Sequence, residues 1–506
     1  MQSSLEVRNR ALKKERATLA LAVRCMLILM AVLTLGVCGC GRKADPDKPK
    51  SSGQSATASS KSGSITLPDA QPQTANGESA APSAKTANTV RFRDVAKDVG
   101  IDFRFNADQV PDRFLLVESM GGAMAWCDFD LDGWLDLYLL NGNQIASPDE
   151  SITNQLFRNR LGQFEAVTTA SETGDSGYAF GVAVGDFDVD GFPDLYVTNY
   201  GANVLLRNNG DGTFSSEADE VAADSLWGTG CVWFDANNDL LPDLYVANYL
   251  TASVDSNKVC DHENGRIYCG PQQFEAQSDK VLVNNGDGSF RDATEELGFT
   301  VPPAYSLGVM SVDLNQDARP ELIVATDMTD NSLFVQGEDG TWSDQASVAG
   351  VDTSGNGLKE AGMGIACDDF DGDGELDFYL THYYEKKNTL YRNLGGMVFA
   401  DDSLRSRVAA TSQNFLGFGV NVIDVNRDNQ PDLFVANGHV LGPNHTPSEM
   451  TAQILLNQKG RFTDISADSG KYFGRKVLGR GSATADFDND GDTDIAVIHL
   501  DQPFSL

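Results

Sequence analysis

The sequence has few of the groups on which nucleic-acid binding and most enzyme mechanisms depend. Its 506 residues include 38 Lys and Arg against 73 Asp and Glu, for a formal net charge of −35, and only five His. No basic patch is present to neutralise phosphates, so the composition argues against nucleic acid as a partner. The histidines show no Ser-His-Asp, Cys-His or zinc-ligand spacing. We therefore predict a protein that is not an enzyme, although a glycosidase-like pair of carboxylates distant in sequence would be invisible.

Long apolar runs are also lacking. The run near the N-terminus, "CMLILMAVLTLGV", has 13 residues and follows a basic stretch that begins at Arg8. A bilayer-spanning helix needs about 20 apolar residues, so this pattern indicates a secretory signal. Its end, "LGVCGCGR", resembles a bacterial lipoprotein signal in which Gly39 precedes the cut and Cys40 is lipidated. We predict a lipoprotein-type signal peptide over residues 1–40, with an ordinary signal peptide or an uncleaved anchor as alternatives.

Residues 41–89 contain Ser, Ala, Lys, Pro and Gln and almost no apolar side chains. Such a segment cannot bury enough apolar surface to offset the entropy lost on ordering, so we predict a disordered tether. The remaining residues, 90–506, have a different pattern and form the predicted folded domain.

One acidic string returns seven times in this domain. It is clearest in "GDFDVDGFPDLYV", residues 185–197, and its copies start at Asp128, Asp186, Asp235, Asp313, Asp369, Asp424 and Asp486. Counted from that first Asp, oxygen-bearing side chains stand at positions 1, 3, 5 and 9, and four copies have Gly at position 6. Repeats of this kind decide the reading of the whole fold.

Alternating oxygen ligands, a turn glycine and a later carboxylate are typical of a loop that wraps calcium. The closing carboxylate comes at position 9 and no helical pattern flanks the loop, so we reject an EF-hand. We predict up to seven structural Ca²⁺ ions, and solvated turns are the alternative, which has more weight for the three copies with Asn at position 3. The predicted metal ligands are Asp128, Asp130, Asp132 and Asp136; Asp186, Asp188, Asp190 and Asp194; Asp235, Asn237, Asp239 and Asp243; Asp313, Asn315, Asp317 and Glu321; Asp369, Asp371, Asp373 and Asp377; Asp424, Asn426, Asp428 and Asp432; and Asp486, Asp488, Asp490 and Asp494.

Short apolar segments flank every loop. A strand precedes the first Asp, a second strand such as "DLYVTN" follows the loop, and a third strand, a turn and a closing aromatic residue come next, as in "NVLLRNNGDGTF". Four short antiparallel strands repeated about seven times predict an all-β fold, a seven-bladed β-propeller. "VRFRDVAKDVGIDF", residues 90–103, matches the fourth-strand pattern, so we predict that it closes the last blade, which would lack its third strand.

These repeats resemble the FG-GAP/VCBS repeats of integrin-α-like propellers. The segments "YCGPQQF", "VANGHV" and "GRGSATADFDNDGD" are similar to the bacterial relatives of cartilage acidic protein, the ASPIC/UnbV type, here without the C-terminal ASPIC/UnbV segment. The resemblance covers about residues 90–506. It implies a seven-bladed propeller with calcium in the loops between the first and second strands.

An insertion at 250–278 interrupts the third repeat. Cys260 and Cys269 bracket part of it, and in an exported protein we predict a disulfide between them, with two free thiols as the alternative. Tyr200, Tyr249 and Tyr383 stand at the same end of the blades as this insertion. They are interpreted either as a partner-binding surface or as packing between blades.

We predict an exported, lipid-anchored protein in the periplasm or at the cell surface, anchored to the membrane through the N-terminal lipid. As a calcium-binding propeller it would act as an adhesion or scaffold module with an unknown protein or glycan ligand. The alternative is a polysaccharide lyase or hydrolase built on the same scaffold, and a third possibility is a purely structural envelope protein.

Overall fold

The computed structural model describes residues 90–217 and 221–506. The predicted signal peptide, Cys40 and the predicted tether lie outside the described residues. Among the helices of the described part, none combines the length and the apolar character needed to cross a membrane.

Six four-stranded antiparallel sheets are found in the described residues. Their bounds, in chain order, are β1 Met124–Cys127, β2 Asp136–Leu139, β3 Gln155–Asn159 and β4 Phe164–Ala166; β5 Ala179–Gly185, β6 Asp194–Asn199, β7 Val204–Asn208 and β8 Phe214–Glu217; β9 Gly228–Phe234, β10 Asp243–Asn248, then the hairpin β11 Cys260–His262 and β12 Gly265–Ile267, then β13 Lys280–Asn284 and β14 Phe290–Asp292; β15 Ser306–Val312, β16 Glu321–Thr326, β17 Ser332–Gln336 and β18 Trp342–Asp344; β19 Ile365–Asp368, β20 Asp377–Leu380, β21 Thr389–Asn393 and β22 Phe399–Asp401; and β23 Gly417–Ile423, β24 Asp432–Asn437, β25 Gln453–Asn457 and β26 Phe462–Asp464. Short helices follow three of the outer strands, namely α1 Thr168–Ser171, α2 Ala346–Ala349 and α3 Val408–Ser412.

The sheets are the blades of a propeller. Their innermost strands contact one another in the order β1, β5, β9, β15, β19 and β23, and β23 then contacts a further strand, β27 Gly479–Ala485, which in turn contacts β1. The prediction of an all-β propeller with four-stranded antiparallel blades is therefore confirmed for six blades.

The prediction of a seventh four-stranded blade is not confirmed. β27 and β28 Asp494–His499 form a two-stranded sheet. The prediction that nothing occupies the third-strand position needs correction, because Val497 and Ser505 exchange backbone hydrogen bonds of 2.8 and 3.1 Å. Val95 donates its backbone N–H to the Leu506 carbonyl at 2.7 Å, as Val167 does to Leu156 in the first blade at 2.9 Å. Residues 90–95 do not form a regular strand. The N-terminal segment therefore makes a hydrogen bond typical of a fourth strand, but the predicted strand itself is not present there.

Close approach of neighbouring innermost strands explains the glycines that precede the loops. A Cβ on Gly181 would lie 2.1 Å from the Thr229 carbonyl oxygen, and one on Gly364 would lie 2.1 Å from that of Phe418. Only a residue without a side chain permits these contacts.

Each second strand is buried on both faces because neighbouring blades cover it, which matches its continuous apolar sequence. Polar side chains add contacts from blade to blade. Asn208 at the end of β7 donates its side-chain N–H to the Phe129 carbonyl of the first blade at 2.8 Å, and Asn159 donates to the Phe487 carbonyl at 2.7 Å. The second contact joins the first blade to the β27–β28 sheet.

Candidate metal centre

All seven acidic loops share one turn geometry. In the second blade, the two carboxylate oxygens of Asp186 accept the backbone N–H groups of Asp190 and Gly191, both at 2.9 Å. The other six copies repeat this pair of hydrogen bonds. Gly191 has a φ of +99°, so glycine at position 6 avoids strain. The three copies with another residue there hold it at positive φ, namely Leu240, Ala318 and Asn429.

The carboxylate at position 9 connects each loop to the third strand. Asp194 is fully buried, and its oxygens accept the backbone N–H of Phe187 in the loop at 3.0 Å and that of Asn208 in β7 at 2.7 Å. Four other blades repeat both bonds, whereas Glu321 and Asp494 have only the bond within the loop. Position 9 is thus a structural link as well as a candidate ligand, a second role that the sequence pattern did not reveal.

In four loops the side chains at positions 1, 3 and 9 bring carboxylate oxygens within 4.8 Å of one another. These four groups could each hold a metal ion, and they are Asp128, Asp130 and Asp136; Asp186, Asp188 and Asp194; Asp369, Asp371 and Asp377; and Asp486, Asp488 and Asp494. The structure places position 5 outside the groups. There Asp190, for example, accepts the backbone N–H of Phe192 at 3.0 Å.

The residues present fit a hard cation. In three of the four groups one buried carboxylate oxygen at position 3 has neither a hydrogen-bond nor an ion-pair partner, namely Oδ1 of Asp130, Asp188 and Asp371. Buried, unsatisfied oxygens that also carry like charges are costly unless a cation binds them. A set made only of oxygens is the ligand type that calcium prefers.

Burial also changes the titration of position 9. Desolvation raises the pKa of Asp136, Asp194, Asp377, Asp494 and Glu321 to about 7, and that of Asp243 and Asp432 to about 6. A bound cation would favour the ionised form and so oppose this shift.

The three loops with Asn at position 3 differ. The amide N–H of Asn237 donates to Asp239 at 3.0 Å, that of Asn426 donates to Asp428 at 3.0 Å, and that of Asn315 donates to Glu321 at 2.8 Å. Among residues 90–217 and 221–506, these loops form no group of three carboxylates. The structure therefore divides the seven predicted sites into four acidic loops and three that are partly satisfied by their own amide.

The insertion is closed by a disulfide and contacts one of the tyrosines at this end of the blades. Cys260 and Cys269 form a disulfide with an Sγ–Sγ distance of 2.08 Å. Tyr200 donates its hydroxyl to the Ala252 carbonyl at 2.8 Å, and Tyr249, which is 1% exposed, donates to Asp327 at 2.7 Å. These contacts favour packing over a free tyrosine surface.

Asp327 provides a test of this packing by pH. Desolvation raises its pKa from 3.8 to about 6, so the folded state binds its proton more tightly than the unfolded state. The ionised carboxylate therefore reduces stability above pH 6, and this cost disappears as the pH falls through 6 towards 4. The side chain keeps some solvent contact, so we expect Asp327→Asn to stabilise the protein by about 1–3 kcal/mol at pH 7.5 and by almost nothing at pH 4. Urea unfolding at both pH values measures this, and a destabilised variant at pH 7.5 would contradict it.

This chain is similar to proteins with FG-GAP-like repeats and to cartilage acidic protein 1. An FG-GAP-like repeat model matches residues 128–197, 186–246, 313–380 and 369–435. Cartilage acidic protein 1 of Homo sapiens is 24% identical over 278 residues, which cover 53% of this chain and 39% of that protein. The Xenopus tropicalis protein of the same name is 24% identical over 342 residues, covering 64% of this chain and 50% of that protein. The chain thus spans half or less of these curated relatives.

A solved structure from Agrocybe aegerita, described as recognising non-reducing terminal N-acetylglucosamine, superposes with a TM-score of 0.38 at 13% identity. The superposition covers 76% of this chain and 86% of that one.

Proposed function

Because the chain is an FG-GAP-repeat propeller protein related to cartilage acidic protein 1, we propose that it is a calcium-stabilised binding module. The observation that carries this proposal is the set of four three-carboxylate groups, three of which have an unsatisfied buried oxygen. Calcium in these loops would hold the first and second strands of a blade together. The three loops with Asn offer an amide oxygen in place of one carboxylate, so up to seven ions could bind.

Counting bound metal tests the proposal directly. After equilibration with about 1 mM calcium, a concentration typical of extracellular sites, and removal of free ions, we expect elemental analysis to find four to seven calcium ions per chain. No bound calcium would overturn the proposal. Asp130→Asn combined with Asp188→Asn should lower the count, whereas the exposed control Asp211→Asn, outside the loops, should not.

The proposal also includes the closure of the ring and the position of the protein in the cell. We propose that β27 and β28, residues 505–506 and the N-terminal residues 92–95 together make a seventh blade.

Cleavage and lipidation at Cys40 would anchor the propeller to a membrane in the periplasm or at the cell surface, with residues 41–89 as the tether. A Cys40→Ser variant should then leave the membrane fraction.

We propose binding rather than catalysis as the activity, with a protein or glycan as ligand. The buried acid nearest the insertion, Glu118, is already engaged: Arg113 forms a short ion pair with it, and Tyr268 in the insertion donates to it at 3.0 Å. A carboxylate with these partners joins the insertion to the N-terminal segment. This arrangement favours a stable surface over a free catalytic acid.

A further inference from the structure

The fourth residue of the third strand varies together with position 3 of the loop in the same blade. Blades with Asp at position 3 have Arg in that strand, and blades with Asn have an apolar residue. The pairs are Asp130 with Arg158, Asp188 with Arg207, Asp371 with Arg392, Asn237 with Val283, Asn315 with Val335 and Asn426 with Leu456. All six complete blades follow this rule.

The structure shows that the arginine and the aspartate are in contact. Arg207 Nη2 lies 2.6 Å from Asp188 Oδ2 and 3.8 Å from Asp190 Oδ2. Arg392 Nη1 lies 3.4 Å from Asp371 Oδ2, and Arg158 forms a short ion pair with Asp130. The guanidinium therefore reaches from the third strand to the loop of its own blade.

The arginine leaves room for a cation. It engages one oxygen of Asp188 and of Asp371, and the other oxygen of each has no hydrogen-bond partner. One carboxylate can therefore face the arginine and the ion at the same time. The guanidinium acts as a counter-charge beside the site and does not replace a ligand.

The two classes of blade have the same charge at these positions. Four carboxylates and one guanidinium give a net charge of −3, and three carboxylates with an apolar neighbour also give −3. Arg319 of the fourth blade lies in the loop itself at position 7 and contacts Asp317 at position 5, at 2.7 Å, so it is not a third-strand partner of position 3 and is not part of this count.

We propose that Arg158, Arg207 and Arg392 are charge-compensating residues that set the calcium affinity of their loops and stabilise these loops when no metal is bound. This inference rests on the proposed calcium binding. A fourth carboxylate without the arginine would attract a cation more strongly, but it would increase repulsion in the metal-free loop. An arginine without the fourth carboxylate would weaken the attraction of the loop for a cation.

The first blade allows the signal of one loop to be identified by difference. Trp134 is at position 7 of this loop, and the corresponding residues of the other copies are not tryptophan. In the full chain, Tb³⁺ bound in this loop can be excited through Trp134 and then displaced by calcium. A Trp134→Phe variant shows how much of the signal comes from this loop.

We expect Arg158→Val to bind calcium about tenfold more tightly and to melt at a lower temperature in chelator. Asp130→Asn should bind about tenfold more weakly. The double variant, which reproduces the Asn and Val pair of the third blade, should return to within about twofold of the wild-type affinity and to its melting temperature in chelator. Arg158→Lys should stay close to wild type because it keeps the charge.

Arg160→Val is the matched control, because it removes a charge from the same blade at a side chain that is 61% exposed and contacts Glu165, not the loop. The inference is overturned if Arg158→Val leaves the affinity within twofold or weakens it, or if the double variant binds as weakly as Asp130→Asn. A wild-type chain with no calcium-displaceable Tb³⁺ signal would instead overturn the proposed function, and this inference with it.

Discussion

Removal of calcium is expected to lower the melting temperature of the propeller by about 6 °C. At about 1 mM free calcium and a Kd of about 0.1 mM, each occupied site adds about 1.4 kcal/mol, so four sites add roughly 6 kcal/mol. The entropy of unfolding, about 2 cal/mol/K per residue, amounts to roughly 0.9 kcal/mol/K for residues 90–506. The ratio gives the shift, and repulsion among the carboxylates in the metal-free loops adds to it.

Thermal melts in calcium and in chelator, at constant pH and ionic strength, measure this shift. Magnesium at the same concentration is the control, because it demands near-octahedral geometry and loses water reluctantly, so it should restore less stability. Equal melting temperatures with and without calcium would mean that the acidic loops are solvated turns.

The second large effect is expected from position 9, and without any metal. Asp377→Ala should destabilise the metal-free protein by about 2–4 kcal/mol, because it leaves two backbone N–H groups without acceptors. The carboxylate is fully buried, and these are the N–H groups of Phe370 at 3.2 Å and of Asn393 at 2.8 Å. Asp377→Asn keeps one acceptor oxygen and should lose about half as much.

Asp373→Ala is the matched control in the same loop. Asp373 is exposed and accepts only the Glu375 N–H at 3.0 Å, so its removal should cost under about 1 kcal/mol in chelator. Urea unfolding of the three variants in chelator gives the comparison. If Asp377→Ala and Asp373→Ala lost equal stability, the link between loop and third strand would contribute nothing measurable.

The blade and its acidic loop could be predicted from the sequence because both depend on local spacing. The string at residues 185–197 places its oxygens, its turn glycine and the following strand within one hairpin, and the structure has that hairpin with Gly191 at positive φ. The aromatic residue Phe92 could likewise be matched to the first residue of a fourth strand. Its backbone N–H bonds the Ser469 carbonyl at 2.8 Å, as that of Phe462 bonds Ser406.

Other features could not be predicted because they depend on contacts between distant segments. From the sequence, positions 1, 3, 5 and 9 are equivalent candidate ligands, but they differ in burial in the structure. Asp194 at position 9 is fully buried, whereas Asp190 at position 5 is exposed at the surface of the turn. The number of complete blades depends on pairing between the two ends of the domain. Tyr249 is buried because residues distant in the sequence surround it, among them Trp227 and Asp327.

The sequence by itself therefore determined the repeat, the strand order within a blade and the oxygen-rich chemistry of the loops, since each follows from side chains a few residues apart. The tertiary structure alone decided which oxygens meet, which carboxylates are desolvated and which arginine faces which aspartate. Arg207 and Asp188 are brought together by the antiparallel pairing of β6 with β7, and the electrostatic potential of the partly buried loop depends on that contact. Electrostatics in a partly desolvated site is set by distances in space, which spacing along the chain does not specify.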